Sequence, residues 1–125
     1  MTVSGPVLAL VRDLIFSSKI GESAKAVGRP VAFARDVEEF RARLGDNPGL
    51  VLVDLTAGGL DLDAALRTYE AAGRPAPLIG WTTHALWKAT APLHSRCDRV
   101  MTREELSQEL PALLREHPGG DEEVR

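Results

Sequence analysis

The chain has little cysteine, few aromatic residues and no long apolar run, and each scarcity excludes a class of protein. Its 125 residues include one cysteine, Cys97, so neither an internal disulfide nor a cysteine-based metal site can form within one chain. Three Phe, two Trp, one Tyr and three His supply little material for a metal centre or for a surface that stacks nucleic-acid bases. No apolar run approaches the ~20 residues that a membrane span needs. We therefore expect a cytoplasmic protein that does not span a membrane.

The chain also lacks an excess of basic charge, with 15 Lys and Arg against 18 Asp and Glu. The net charge is −3 at pH 7, and residues 118–125 carry −2 of it. The rest of the chain is close to neutral, which argues against a nucleic-acid binder, since such proteins show a basic patch. The length and the 44% hydrophobic content are those of one globular domain. We predict a single domain over residues 1–117 and a disordered acidic tail over 118–125, which has nothing apolar to bury.

Short apolar runs alternate with amphipathic segments five times along the chain. The runs have the length and continuous hydrophobicity of strands buried on both faces, and they lie at 7–11, 30–34, 50–53, 77–81 and 98–101. The segments between them predict helices at about 16–27, from Asp36 through Leu44, from Asp61 or Asp63 to Ala72, at 83–91 and at 104–117. Five β–α pairs predict an α/β fold, a flavodoxin-like, doubly wound five-stranded parallel sheet of order 2-1-3-4-5 with five helices.

Polar residues follow the predicted strands at the edge where parallel sheets bind ligands. Strand one is followed by Arg12 and Asp13, strand three by Asp54, strand four by Thr82, and strand five leads to Arg103. Each has a purely structural alternative. Either acid can cap a helix or a turn, the threonine can be an ordinary strand residue, and the arginine can be a solvated surface charge. Their shared location at strand ends nevertheless predicts a site.

These residues resemble the receiver domain of bacterial two-component response regulators, over about residues 7–114. Receivers carry two acids after strand one, a phospho-accepting Asp after strand three, a Ser or Thr after strand four and a Lys after strand five. By this resemblance Asp13 is the second acid, Asp54 is the phospho-acceptor position and Thr82 is the hydroxyl. Arg103 stands where the Lys is expected. The intervals of 41, 28 and 21 residues between these four positions also fit the family.

Three departures identify the chain as similar to divergent members called pseudo-receivers. Arg12 replaces the first acid, Arg103 replaces the Lys, and Glu104 replaces the Pro that follows it. The resemblance implies Mg²⁺ for phosphorylation, and here only Asp13 and Asp54 remain as its carboxylate ligands. An arginine in place of a carboxylate changes the local charge by two units, and two unit charges 4 Å apart interact by ~4 kcal/mol at an effective dielectric of ~20. We therefore expect weak or absent Mg²⁺ binding.

Two arrangements of Arg12 are open. In the first, its guanidinium pairs with Asp54 or Asp13, occupies the place of the metal and locks the site in one state. We expect Arg12 and Asp54 to lie within ion-pair distance, directly or through one water. In the second, Arg12 points to solvent, and the two acids still bind Mg²⁺ weakly.

The leading hypothesis is a stand-alone receiver-like signalling module that acts through protein–protein contacts and is not a competent phospho-acceptor. Its implied partner is a histidine kinase or a downstream effector, and no cofactor is needed. The first alternative is an active single-domain response regulator, phosphorylated on Asp54 with Mg²⁺. The second is a flavodoxin-like small-molecule binder, which the absence of glycine after strand one disfavours. No Ser or Cys lies in a nucleophile-elbow context, so an enzyme is not expected.

The working surface is expected on the face of helix four, strand five and helix five, because receivers use that face for dimer and partner contacts. His84, Trp87, Lys88 and Arg103 place an aromatic and several cations near it. That is the composition of an interaction hot spot, although Trp87 can equally well pack inward. In the last helix, a capping box formed by Thr102 with Glu105 leaves Pro111 inside the helix. We therefore expect a kink or break near residues 106–107.

Overall fold

The computed structural model describes residues 5–116, and the predicted tail at 118–125 lies outside them. The strands are β1 Val7–Leu10, β2 Val31–Ala34, β3 Leu50–Asp54, β4 Leu78–Thr82 and β5 Arg99–Thr102. The helices are α1 Leu14–Ala26, α2 Val37–Leu44, α3 Leu62–Ala71, α4 Trp87–His94 and α5 Arg103–Glu116. All strand pairs are parallel and the order is β2-β1-β3-β4-β5, which confirms the predicted fold class.

The sheet separates two apolar cores. Alternate residues of the central strands point to opposite faces, so Ala9 and Leu52 join one core while Leu8 and Val51 join the other. The first core packs α1 and α5 against the sheet, and the second packs α2 and α3. Because β1, β3 and β4 are buried along their whole length, their sequences read as unbroken apolar runs.

Short polar residues fix where three helices begin. Asp13 caps α1, Asp36 caps α2 and Asp61 caps α3, each through a side-chain oxygen that accepts from backbone N–H groups of the first turn. At the end of α1, Gly28 takes a φ of +72°, and Arg29 N–H donates to Ala24 C=O at 2.8 Å. None of the helices within residues 5–116 is long and apolar enough to cross a bilayer.

Two helices differ from the prediction. Helix α4 begins at Trp87, four residues later than expected, because residues 83–87 form turns with N–H groups bonded three residues back. The predicted break in α5 is wrong, since the helix runs unbroken over Arg103–Glu116 with Pro111 inside. The capping box does form: Glu105 N–H donates to Thr102 Oγ1 at 3.1 Å, and Thr102 N–H donates to Glu105 Oε1 at 2.9 Å. Packing of Leu106 and Leu110 against the sheet holds the helix through the proline.

Candidate functional site

The carboxyl ends of the strands meet at one edge of the sheet, as the sequence predicts. The register places Asp54 beside Trp81, and Thr82 beside Thr102. Asp13 follows β1, which pairs with β3, and Arg103 follows β5 directly. This edge therefore gathers the acids, the hydroxyl and the second arginine that the sequence singled out.

Asp54 is buried and is held by its own loop. Its residue surface is 2% exposed, and its Oδ1 accepts from Thr56 N–H at 2.8 Å and from Thr56 Oγ1 at 2.7 Å. Hydrogen bonds to a carboxylate are stronger than neutral ones, so Thr56 stabilises and orients this oxygen. The sequence analysis missed Thr56. A hydroxyl two residues after an Asp is the local signal that could have identified it.

Arg12 does not pair with Asp54. It is exposed, and within the described part of the chain neither residue makes an ion pair. The guanidinium lies over the loop after β3, where its Nη1 is 3.3 Å from the position that a Cβ on Gly59 would take. The direct ion pair that we expected is therefore wrong. The physical reason is that donors of Thr56 already satisfy one oxygen of Asp54, while Arg12 extends away along the loop.

Asp13 takes the helix-cap role that the sequence left open and also pairs with Arg103. Its Oδ1 caps α1 by accepting from Ile15 N–H at 2.9 Å and from Phe16 N–H at 3.3 Å. Its Oδ2 lies 3.3 Å from Nη2 of Arg103. The cation that follows β5 is thus engaged by the acid after β1, and the ion pair links the starts of α1 and α5.

Arg103 is further fixed by an aromatic ring. Its guanidinium carbon lies 5.4 Å from the centroid of the Phe16 ring, within the range of a cation–π contact. Its Nε is buried and finds no acceptor among the described residues. An unsatisfied buried donor costs about 1–3 kcal/mol. The Nε–H of Arg103 is therefore a donor at this edge that no acceptor within residues 5–116 stabilises.

Most carboxylate oxygens at this edge are already engaged by donors of the chain itself. Both oxygens of Asp13 are engaged, and Oδ1 of Asp54 is held by Thr56. Magnesium takes near-octahedral oxygen ligands, commonly with one or two carboxylates, and the first acid of the receiver pattern is Arg12 here. Within residues 5–116 no group of three metal-binding side chains comes together.

Thr82 is tied to α4 rather than left free at the strand end. It is fully buried, and its Oγ1 lies 3.1 Å from Oγ1 of Thr90, the buried residue of α4. Thr90 Oγ1 also lies 2.9 Å from Nε2 of His94, whose ring meets Trp87 edge-on at 4.7 Å between centroids. A chain of hydrogen bonds thus runs from the strand end to His94, whose ring contacts the partly exposed Trp87. The sequence analysis missed both residues: His94 lies beyond the helix predicted at 83–91, and Thr90 lies within it but was not singled out.

The four residues predicted for the interaction surface divide into two groups. His84, Trp87 and Lys88 are exposed at the start of α4, with Trp87 38% exposed. Arg103 is partly buried beside Asp13 and Phe16. His84 and Arg103 line one open cavity, and Trp87 lies outside it. The structure therefore supports an exposed Trp87, while Arg103 belongs to a separate groove.

That groove has a volume of about 500 Å³ and lies between the starts of α1 and α5 and the loop after β4. Residues from each of the three segments line it, among them Phe16, Lys19, His84 and Ser107. Neither Asp54 nor Arg12 is part of its wall. Ile15, the most exposed large apolar residue among residues 5–116, forms one rim and is 84% exposed. Sequence reasoning did not single out this residue, although its place in the first turn of an amphipathic helix was readable.

No protein-family model matches the chain, and no curated protein matches it either. Solved structures do. The receiver domain of the sensor histidine kinase PA1611 from Pseudomonas aeruginosa PAO1, with a magnesium ion in its active-site cleft, aligns with a TM-score of 0.76 and 20% identity. The alignment covers 94% of this chain and 100% of that one.

Two further structures agree. The chemotaxis response regulator CheY4 of Vibrio cholerae aligns with a TM-score of 0.72 and 12% identity, covering 93% of this chain and 98% of its own. The receiver domain of NtrX from Brucella abortus aligns with a TM-score of 0.74 and 13% identity, covering 92% and 99%. At these identities the likeness concerns the backbone and its topology. The chain therefore has the fold of response-regulator receiver domains.

Proposed function

We propose that this chain is a receiver-like signalling module that acts through protein–protein contacts and does not accept a phosphoryl group. It is a binding module of the cytoplasm, not an enzyme. The observation that carries the proposal is how the side chains at the sheet edge are bonded. Arg103 forms an ion pair with Asp13, and Thr56 donates two hydrogen bonds to Asp54.

Phosphoryl transfer depends on positioning and on neutralising the charge that develops on the transferred group. In the receiver pattern two acids recruit a metal, and a Lys beside the acceptor supplies a further cation. Here Arg12 stands in place of one acid, and Asp13 is consumed by a helix cap and an ion pair. Asp54 is therefore left without the neutralising partners that an acyl phosphate needs.

Phosphorylation with acetyl phosphate and Mg²⁺, followed by intact-protein mass spectrometry, tests this proposal. We expect no phosphorylated species from the parent chain. The double variant Arg12→Asp, Arg103→Lys restores the receiver pattern and serves as the positive control. Its product is expected to disappear when Asp54→Asn is added. Stable phosphorylation of the parent on Asp54 would instead establish the alternative, an active response regulator that uses Mg²⁺.

The contact surface that we propose lies on α4, β5 and α5, with Trp87 as its anchor. Trp87 is 38% exposed, and Leu86 beside it is 40% exposed, so a large apolar area lies next to Lys88 and His84. Exposed aromatics flanked by cations are frequent in protein interfaces. The partner is a histidine kinase or a downstream effector, and self-association through the same face is a second use of it.

Trp87→Ala tests the anchor. We expect thermal stability to change little, because the ring is partly exposed and its packing partner is His94 on the same helix. Self-association in sedimentation, or capture of a candidate kinase, should weaken. Leu14→Ala on α1, whose side chain is 70% exposed, is the matched control and should leave association unchanged. A stability loss of ~3–5 kcal/mol with unchanged association would assign Trp87 to the core and overturn the surface.

A further inference from the structure

We propose that the groove between α1 and α5 binds a small amphipathic anion, with an apolar body against Ile15 and an acidic group beside Lys19 and Arg103. This inference concerns the groove lined by Phe16, Lys19, His84, Arg103 and Ser107, and it does not depend on phosphorylation of Asp54. The groove volume of about 500 Å³ is that of a small-molecule site.

The floor of the groove is aromatic. Phe16 is 4% exposed, and its ring lies 5.1 Å from Trp81 on one side and 5.4 Å from the Arg103 guanidinium on another. Ile15 extends the apolar surface to the rim, where it is 84% exposed. A ligand body that covers Ile15 would remove its apolar area from water, which is favourable in proportion to the area covered, while Phe16 is already buried beneath it.

Cationic groups and free hydroxyls stand beside that floor. Lys19 makes no ion pair within the described residues, and Nε of Arg103 lacks an acceptor there. The Ser107 hydroxyl also has no hydrogen bond to any side chain or backbone group in residues 5–116. An anionic oxygen placed between α1 and α5 would accept from Lys19 and Ser107 beside the positive charge of Arg103, and charge-assisted bonds of this kind are the strong ones.

The opposing charges limit the ligand to one acidic group. Asp13 lines the groove, but its oxygens are engaged by the start of α1 and by Arg103. Glu104 also lines the groove and remains a negative charge. Lys19 and Arg103 on one side therefore favour a single anion, and an anion without an apolar body would leave Ile15 exposed to water.

Titration with phenylphosphonate tests the site, because its carbon–phosphorus bond cannot deliver a phosphoryl group to Asp54. The Trp87→Phe chain, in which Trp81 is the remaining Trp, reports binding through fluorescence because Phe16 contacts Trp81. Amide shifts in an NMR titration without Mg²⁺ locate the ligand. We expect saturable binding, with shifts at residues 15–19, 83–84 and 103–107.

Two arms separate the acidic group from the body. Methylphosphonate keeps the acidic group but lacks the ring, and benzyl alcohol keeps the ring but lacks the acid. We expect each to bind about tenfold more weakly than phenylphosphonate, because the first loses the burial of the ring and the second loses a charge-assisted contact. Lys19→Gln should weaken phenylphosphonate by about tenfold. Lys25→Gln, an equal charge change on the exposed far end of α1, should leave binding unchanged.

No saturable response, equal binding of methylphosphonate, equal losses in Lys19→Gln and Lys25→Gln, or shifts confined to another face would each overturn the proposal. The titration is repeated on Asp54→Asn, which should bind as the parent does. Failure of ligand binding in the groove can therefore be told apart from failure of the signalling proposal, because groove binding is measured without Mg²⁺ or a phosphodonor.

Discussion

Among single residues, Thr56 is the partner on which the orientation of Asp54 depends. Its N–H and Oγ1 both donate to the same carboxylate oxygen, at 2.8 and 2.7 Å, and Asp54 is buried. Thr56→Val removes the hydroxyl and keeps the side-chain shape. We expect the free energy of unfolding to fall by about 1.5–3 kcal/mol, the usual worth of a hydrogen bond to a charged group.

Urea unfolding of Thr56→Val measures that loss. Thr68→Val is the control, because its hydroxyl donates to a helix carbonyl, Ala64 C=O, and serves no carboxylate. Equal small losses in the two variants would mean that the Thr56 hydroxyl does not hold Asp54.

Cys97 is expected to react slowly. Burial raises the pKa of its thiol to about 11, and the charge of Asp98 adds to the shift. At pH 8 roughly one thiol in a thousand is then ionised, and the thiolate is the nucleophile. Alkylation by iodoacetamide at pH 8, followed by mass spectrometry, should be far slower for the native chain than for the chain in urea. Equal rates would show that the thiol is accessible and unperturbed.

At the residue scale, the sequence predicted where the site lies but not which of its side chains pair with one another. Position after a buried strand was enough to place Asp13, Asp54 and Thr82 at one edge, because parallel strands end together. The direction of a long side chain leaving that edge depends on loop geometry and on competing donors. This is why the ion pair of Arg12 with Asp54 was expected and that of Arg103 with Asp13 was not.

Among the elements, helix α5 contains a proline that lowers its stability. Pro111 lies inside the helix, is exposed, and cannot donate to the carbonyl of Ser107 four residues before it. Pro111→Ala restores that donor, so we expect the free energy of unfolding to rise by about 1–3 kcal/mol, reduced by the greater freedom of the unfolded variant. Urea unfolding followed by circular dichroism measures it.

Pro92→Ala in α4 is the matched change, because Pro92 is also exposed and inside a helix. A stability gain in α5 that matches or exceeds that in α4 fits the account. Lower stability of Pro111→Ala would show that the ring contributes packing that outweighs the missing bond.

Element boundaries were predictable where a cap was decisive. Asp36 was predicted to cap α2 and does so, and of the two candidates Asp61 and Asp63 it is Asp61 that caps α3. No side chain within residues 5–116 caps the start of helix α4, and Thr90 is the one buried residue within Trp87–His94. With neither a cap nor a clear apolar stripe, local pattern could not fix its limits, and the link from Thr82 through Thr90 to His94 stayed hidden.

For the molecule as a whole, the fold was readable because the three central strands, β1, β3 and β4, are buried on both faces. Runs such as Leu50–Asp54 cannot sit on a half-solvated sheet, and the helical segments between them cover both sides. The two cores follow from that alternation alone. Features formed between elements, such as the groove beside Phe16 and the ion pairs that join separate elements, depend on long-range contacts. The hydrophobic periodicity of single segments does not encode such contacts.

Arg96 joins distant parts of the chain through such contacts. It lies between α4 and β5, and it reaches α3, where Nε and Nη2 bond Glu70 at 2.9 and 3.0 Å and Nη1 bonds Asp63 at 2.8 Å. These hydrogen bonds from Arg96 hold the pKa of Glu70 and of Asp63 below their usual values. The network therefore fastens α3 to the end of the sheet only while both carboxyls are ionised.

Acid should weaken this link in a way that Arg96→Gln reveals. Because the folded pKa values of Asp63 and Glu70 are depressed, their contribution is present above the unfolded values near 4 and is lost as the pH falls through the folded ones. We expect Arg96→Gln to melt a few degrees below the parent at pH 7, with the gap closing as the pH falls from about 5 toward 2. Arg41→Gln, which breaks an exposed pair with Glu38 inside one helix, is the control and should give a gap that is smaller at every pH. A gap for Arg96→Gln that stays constant with pH would mean that its side chain acts through packing, and that these carboxylates do not couple α3 to β5.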